Sequence, residues 1–176
     1  MELTIAECKE QIAFYQSEST KGINTTKAGT ELMYLKAKLN NLLYEEHKQA
    51  FSINKEIAVT ISQIEKENFS KLVPIIEFKS LIDGSKFIIS PNNDNDNKYN
   101  FSIKIQDHSC YFYETVLSLG YDLTDLIHWL TYHYPALNNS ILLYSIAKNR
   151  KTEEIFLQNF MPFLQINKQE VKHDYC

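Results

Sequence analysis

The chain has 176 residues, a formal charge of −4, 44% apolar and 23% charged residues, which suits one ordinary domain with a real core. Its four glycines stand singly at Gly22, Gly29, Gly84 and Gly120, and Arg150 is its one arginine, so dinucleotide loops, P-loops and arginine clamps have no local support. Residues 1–72 balance nine Lys against ten Glu, and the only dense basic run, Lys148, Arg150 and Lys151, falls where a helix should end and cations complement its dipole; nucleic acid is therefore rejected as the main partner.

Ile5, Cys8, Ile12 and Tyr15 alternate in steps of three and four, the apolar seam of a first helix. The polar stretch Ser17–Thr26 reads as a loop. A second seam runs through Leu32, Leu35, Leu39 and Leu42, and Ala50, Ile53, Ile57, Ile61 and Ile64 extend it at helical spacing. Glu46 interrupts this series and Ser52-Ile53-Asn54 is a candidate break. Residues 1–72 are therefore expected to form a helical hairpin of one or two further helices folded back on the first, with coiled-coil-like packing.

Composition changes at Val73-Pro74, and the first Asp appears only at Asp83. Leu72–Phe78 and Lys86–Ser90 are short apolar runs joined by the tight-turn pair Asp83-Gly84. Phe101, Ile103 and Ile105 alternate with Ser102 and Lys104, the period of a half-buried strand. Residues 73–108 are expected to form a small antiparallel β-meander, with Pro91–Asn97 as its longer loop.

From Ser109 to the end, residues 109–176, the pattern reads as helical. Asp122 or Thr124 caps a helix holding Leu126, Ile127, Trp129 and Leu130, which Pro135 terminates. Ser140–Asn149 forms another, and Thr152-Glu153-Glu154 opens a third that ends at Pro162. The tail from Asn167 is polar.

Asp125-Leu126-Ile127-His128-Trp129-Leu130 and Glu153-Glu154-Ile155-Phe156-Leu157 each resemble the second helix of an ankyrin repeat, and Ser140–Asn149 resembles a first helix. The resemblance spans residues 109–160, about two degenerate copies. It implies a protein-binding surface and no catalysis. Stacked helix pairs of no particular family account for the same pattern.

Candidate chemistry is sparse. Asn92, Asp94 and Asp96 match the first alternating oxygen ligands of an EF-hand, but Asn97 stands where Gly is needed and Ile103 where a bidentate Glu is needed. Turn preference of Asn and Asp explains the run more simply. A zinc site would have to gather His108, Cys110, His128 and His133 with Asp125, His173 or Cys176 from separate elements, and no spacing favours it. No metal and no cofactor is expected. The catalytic alternative is a Cys-dependent enzyme with Cys110 as nucleophile, His128 or His133 as base and Asp125 orienting the imidazole. The bulky setting Ser109-Cys110-Tyr111-Phe112-Tyr113, without glycine, fits a buried structural cysteine better.

Cys8, Cys110 and Cys176 lack a C-x-x-C pairing, as suits a reducing compartment. The start, Met1-Glu2-Leu3-Thr4, shows no secretory signal, and no apolar run approaches the length of a membrane span. A cytoplasmic protein, of its source or of a host cell, is the expectation. Lys-, Asn-, Ile- and Tyr-rich, Arg-poor usage suggests an AT-rich genome.

Eleven Tyr and ten Phe in an Arg-poor chain point to recognition by aromatic contact. The densest segment is His128–Pro135. Trp129 reads as core, while Tyr132, His133 and Tyr134 cover too much of a helical turn to be buried together and form the candidate partner surface, unless they are simply the rim of a core. The expected protein is α+β, mainly helical, and non-catalytic: a protein-interaction module, such as a small inhibitor or effector that masks another protein. Self-association through the Leu32–Leu42 seam is a further expectation.

Overall fold

The structure, a computed structural model, describes residues 3–23, 25–67, 69–93, 99–107, 111–117 and 122–164. Thr4 opens α1 (Ile5–Thr20) with a reciprocal capping box, its hydroxyl accepting from the Glu7 amide while Glu7 accepts from the Thr4 amide. α2 (Thr25–His47) folds back on it. Their seams meet as predicted. Cys8, Leu39 and Leu43 are buried, with Ile5, Ile12 and Leu42 packed around them.

Six strands follow as a continuous antiparallel meander: β1 (Gln49–Ser52), β2 (Ile57–Ile64), β3 (Val73–Ser80), β4 (Lys86–Asn93), β5 (Tyr99–Gln106) and β6 (Tyr111–Leu117). Among the described residues each pairs only with its sequence neighbours, so β1 and β6 are the edges. Period-two alternation sorts the side chains. Val59, Ile76, Phe78, Phe87, Ile89, Phe101, Ile103 and Ile105 all point to one face and are buried there.

That face is covered by α3 (Leu123–His133), a 3-10 turn at Pro135–Leu137, α4 (Ile141–Lys148) and α5 (Arg150–Leu164). Asp122 caps α3, accepting from the Thr124 amide at 2.7 Å, and Ser140 caps α4. Phe101 meets Phe156 and Phe160 with ring centroids 5.5 and 5.6 Å away. The opposite face receives α2 over β2, where Ser62 donates to the Tyr44 carbonyl oxygen. Asn40 clamps the chain leaving β2: its amide donates to the Glu65 carbonyl at 3.0 Å and accepts the Glu65 N–H at 2.8 Å.

The protein is thus α+β, an N-terminal helical pair, a meander and C-terminal short helices. The meander is larger than its sequence signal. Ala50, Ile53, Ile57, Ile61 and Ile64 do not extend the second helical seam. They fall in β1, in the turn after it and in β2, where Asn54 Oδ1 accepts the Glu56 and Ile57 amides at 2.7 and 2.8 Å and closes a hairpin. Isoleucines four apart satisfy both periods, and the β-branched run Val59-Thr60-Ile61 with cross-strand partners on β1 and β3 decides for strand. Likewise the helical region does not begin at Ser109, because Tyr111–Leu117 pairs along β5.

Smaller differences follow the same logic. Pro91, Asn92 and Asn93 belong to β4, not to a loop, and pair with β5. Pro162 sits inside α5, which continues to Leu164. The predicted Asp83-Gly84 turn is present: Gly84 takes φ +76°, a left-handed value that favours glycine, and Asp83 Oδ1 accepts from the Ser85 amide and hydroxyl.

Candidate functional site

The C-terminal end of α3 packs beside the edge strand β6. Tyr134, just past the helix, lays its ring against Phe112, centroids 4.6 Å apart, and donates its hydroxyl proton to Glu114 Oε2 at 2.6 Å. That acceptor, together with partial desolvation, pushes the Tyr134 phenol above its ordinary pKa. Trp129 stands between Tyr134, at 6.4 Å, and His133, at 4.5 Å, and His133 meets the Tyr132 ring edge-on at 5.1 Å.

The predicted partner triplet therefore divides. Tyr132 is 80% exposed and His133 is also exposed, whereas Tyr134 is half-buried and ties α3 to the sheet. Trp129 is partly buried against the main core, as its sequence context implies.

Alternation along β6 adds residues that the sequence reading passed over. Phe112 and Glu114 face α3, so Tyr111 and Tyr113 face the other side of the sheet, where they are 66% and 63% exposed. Lys104 lies over the Tyr111 ring at 5.1 Å, and Ser102 shares a hydrogen bond of 2.9 Å with the Tyr113 hydroxyl. Aromatic rings thus flank the outer edge of β6 on both sides, and among the described residues no strand pairs with that edge. The signal in the sequence was the alternation Tyr111-Phe112-Tyr113-Glu114, hidden by its position after a presumed domain boundary.

The remaining candidates do not assemble. Cys110 and His108 lie outside the described residues, as do Asp94, Asp96, Asn97, His173 and Cys176. Asp125 and His128 are exposed on α3, and among the described residues no hydrogen bond joins Asp125 to His128 or His133. Asn92 pairs with Asn100 inside the sheet, and Ile103 is buried in the core instead of facing an ion. Among the described residues no group of three or more His, Cys, Asp or Glu could hold a metal ion. No helix there is long and apolar enough to cross a membrane.

The ankyrin-like segments do form helices, yet α3, α4 and α5 bury their apolar faces on a β-sheet instead of on neighbouring repeats. No family model, curated protein or solved structure matches the chain. Any functional reading therefore rests on the site itself.

The Leu32–Leu42 seam is already occupied. Leu35 and Leu39 are buried within the chain, and the hairpin turns Phe14, Met33 and Tyr34 outward instead. At the other end of α3, Glu153 on α5 accepts the Leu123 amide at 2.9 and 3.2 Å, beside the Asp122 cap. Burial, reinforced by the Asp122 charge, pushes the Glu153 carboxyl up to about 7.

Proposed function

We propose that this chain is a non-catalytic protein-interaction module that docks another protein along the outer edge of β6 and the adjoining turn of α3, masking the bound surface as a small inhibitor or effector does. The observation that carries this reading is the arrangement of Tyr111, Tyr113, Tyr132 and His133, all exposed, on β6 and the adjoining turn of α3, beside a strand edge with which no described strand pairs. Tyrosine supplies large contact area at low entropic cost, and an open strand edge supplies unpaired N–H and C=O groups.

Tyr134 and Glu114 support the surface without belonging to the contact. Glu114 is a charge on the covered side of an edge strand, a device that discourages indiscriminate pairing, and Tyr134 satisfies it. A partner must then read the rings as well as the backbone, which is what selectivity at an edge requires.

The test is affinity capture from cells of the source or its host, followed by titration of the captured protein. The Tyr132→Ala/His133→Ala variant, shown to be folded by circular dichroism, is expected to bind at least about tenfold more weakly, roughly 1.4 kcal/mol. Unchanged affinity in this variant and in Tyr111→Ala/Tyr113→Ala would overturn the proposed surface.

A further inference from the structure

The chain leaving β2 crosses between the helical hairpin and the tip of α5, and two adjoining clefts open along it. One, of about 380 Å³, lies against Ile12, Leu39 and Asn40, and the other, of about 450 Å³, is lined by Lys9, Phe69, Ser70, Lys71 and Leu72. Glu65 and Lys66 are common to both. Asn40 fixes the backbone at Glu65, so Lys66 is held in the shared wall.

Charge around Lys66 is unevenly matched. Lys9 pairs with Glu65 at 3.3 Å, and Lys36 pairs with Glu67 at 2.9 Å, which leaves each neighbouring carboxylate already engaged. The Lys66 carbonyl accepts from the Phe69 amide at 3.4 Å, but its ammonium has neither a hydrogen bond nor an ion pair among the described residues. Lys71, whose ammonium sits 5.3 Å from the Phe163 ring centroid, adds to the same cleft a second cation with no carboxylate partner among the described residues. The larger cleft therefore carries three lysines against one glutamate.

We propose that this cleft captures a small carbonyl compound bearing an anionic group, a phosphate or carboxylate, with Lys66 as the amine that bonds its carbonyl carbon and Lys71 and Ser70 as the groups that hold its anion. The half-buried amine attacks the carbonyl carbon, a C–N bond forms, and the carbonyl oxygen leaves as water to give an imine. No oxidant or reductant is consumed. Both protons of the amine end on the carbonyl oxygen, which departs as water, and one proton is taken up from the medium if the imine is protonated. Lysine serves this chemistry when desolvation makes it a free amine at neutral pH. Burial lowers Lys66 to about 8, so roughly one molecule in ten carries the free amine at pH 7.

The probe is pyridoxal 5′-phosphate, an aldehyde with a phosphate, incubated with the full chain at micromolar concentration and trapped with cyanoborohydride. Peptide mapping by mass spectrometry then reads the rate at each lysine. Lys66 is expected to be labelled at least about tenfold faster than an exposed lysine such as Lys55. The unphosphorylated aldehyde pyridoxal should label Lys66 several-fold more slowly, and Lys71→Gln should erase that difference while leaving the far-ultraviolet spectrum unchanged. Labelling of Lys66 no faster than Lys55 would overturn the amine site. Selective labelling by both aldehydes at one rate would overturn the anion contact. The Lys66→Arg variant, which keeps the charge and the fold, should lose the fast-labelled peptide.

Discussion

The Tyr134 hydroxyl donates to Glu114 across 2.6 Å, joining the end of α3 to an edge strand twenty residues earlier in the chain. This bond separates scaffold from surface inside one aromatic turn. Tyr134→Phe is expected to lower the melting temperature and to leave partner affinity within about twofold, because the contact rings keep their places. Tyr132→Ala should do the reverse, weakening binding with no change in melting temperature, since its side chain is mostly in water. Thermal scans and titrations on the two variants check both halves.

Phe160 lies between Phe101 at 5.6 Å and Phe156 at 5.0 Å, fully buried where α5 meets β5. Phe160→Ala should cost about 3–5 kcal/mol in urea unfolding, the transfer free energy plus the cavity left among rigid neighbours. Phe14, 58% exposed on α1, is the control. Its replacement by Ala should change stability by no more than about 0.5 kcal/mol.

Glu153 predicts a pH dependence. Its folded-state pKa of about 7 lies above the ordinary 4.5, so between those values the native chain holds a proton that the unfolded chain has released. Stability from this group is therefore fullest below about pH 4.5 and is lost as pH rises toward 7. Glu153→Gln keeps an oxygen acceptor for the Leu123 amide and removes the charge facing Asp122. It should match wild type at pH 4 and exceed it at pH 8 by about 1 kcal/mol, the full shift being discounted for solvent screening at a part-exposed carboxyl. Melting temperatures across that range would show it, and equal wild-type and variant stability at pH 8 would refute it.

Leu35→Lys places an ammonium on the buried face of α2, where Leu35 is 2% exposed. It should destabilise the chain by about 3 kcal/mol or more. Met33→Lys on the outward side of α2 should be silent. If Leu35→Lys instead melted normally and only dissolved an oligomer in light scattering, the seam would belong to self-association and not to the monomer core.

Local rules determined much of this protein. The capped starts of α1, α3 and α4, the Asp83-Gly84 turn and the alternation of Phe101, Ile103 and Ile105 depend on neighbours within a few residues, so the sequence alone specifies them. That some of Tyr132, His133 and Tyr134 face outward was legible for the same reason, since a helical turn cannot bury three consecutive large rings, whereas which of them do so was decided by the packing of Tyr134 on β6. What local rules left open, tertiary structure decided. Ile53, Ile57 and Ile61 fit a helix or a strand until β1 and β3 supply hydrogen-bonding partners on both sides of β2. Tyr111 and Tyr113 become a surface only because β6 is the last strand of the sheet. Lys66 becomes unusual where Asn40, from a helix 26 residues before it, holds the chain so that burial weakens its proton and its ammonium has no ion-pair partner among the described residues. Pairing across the sheet and desolvation by distant elements are long-range effects, and no window of sequence contains them.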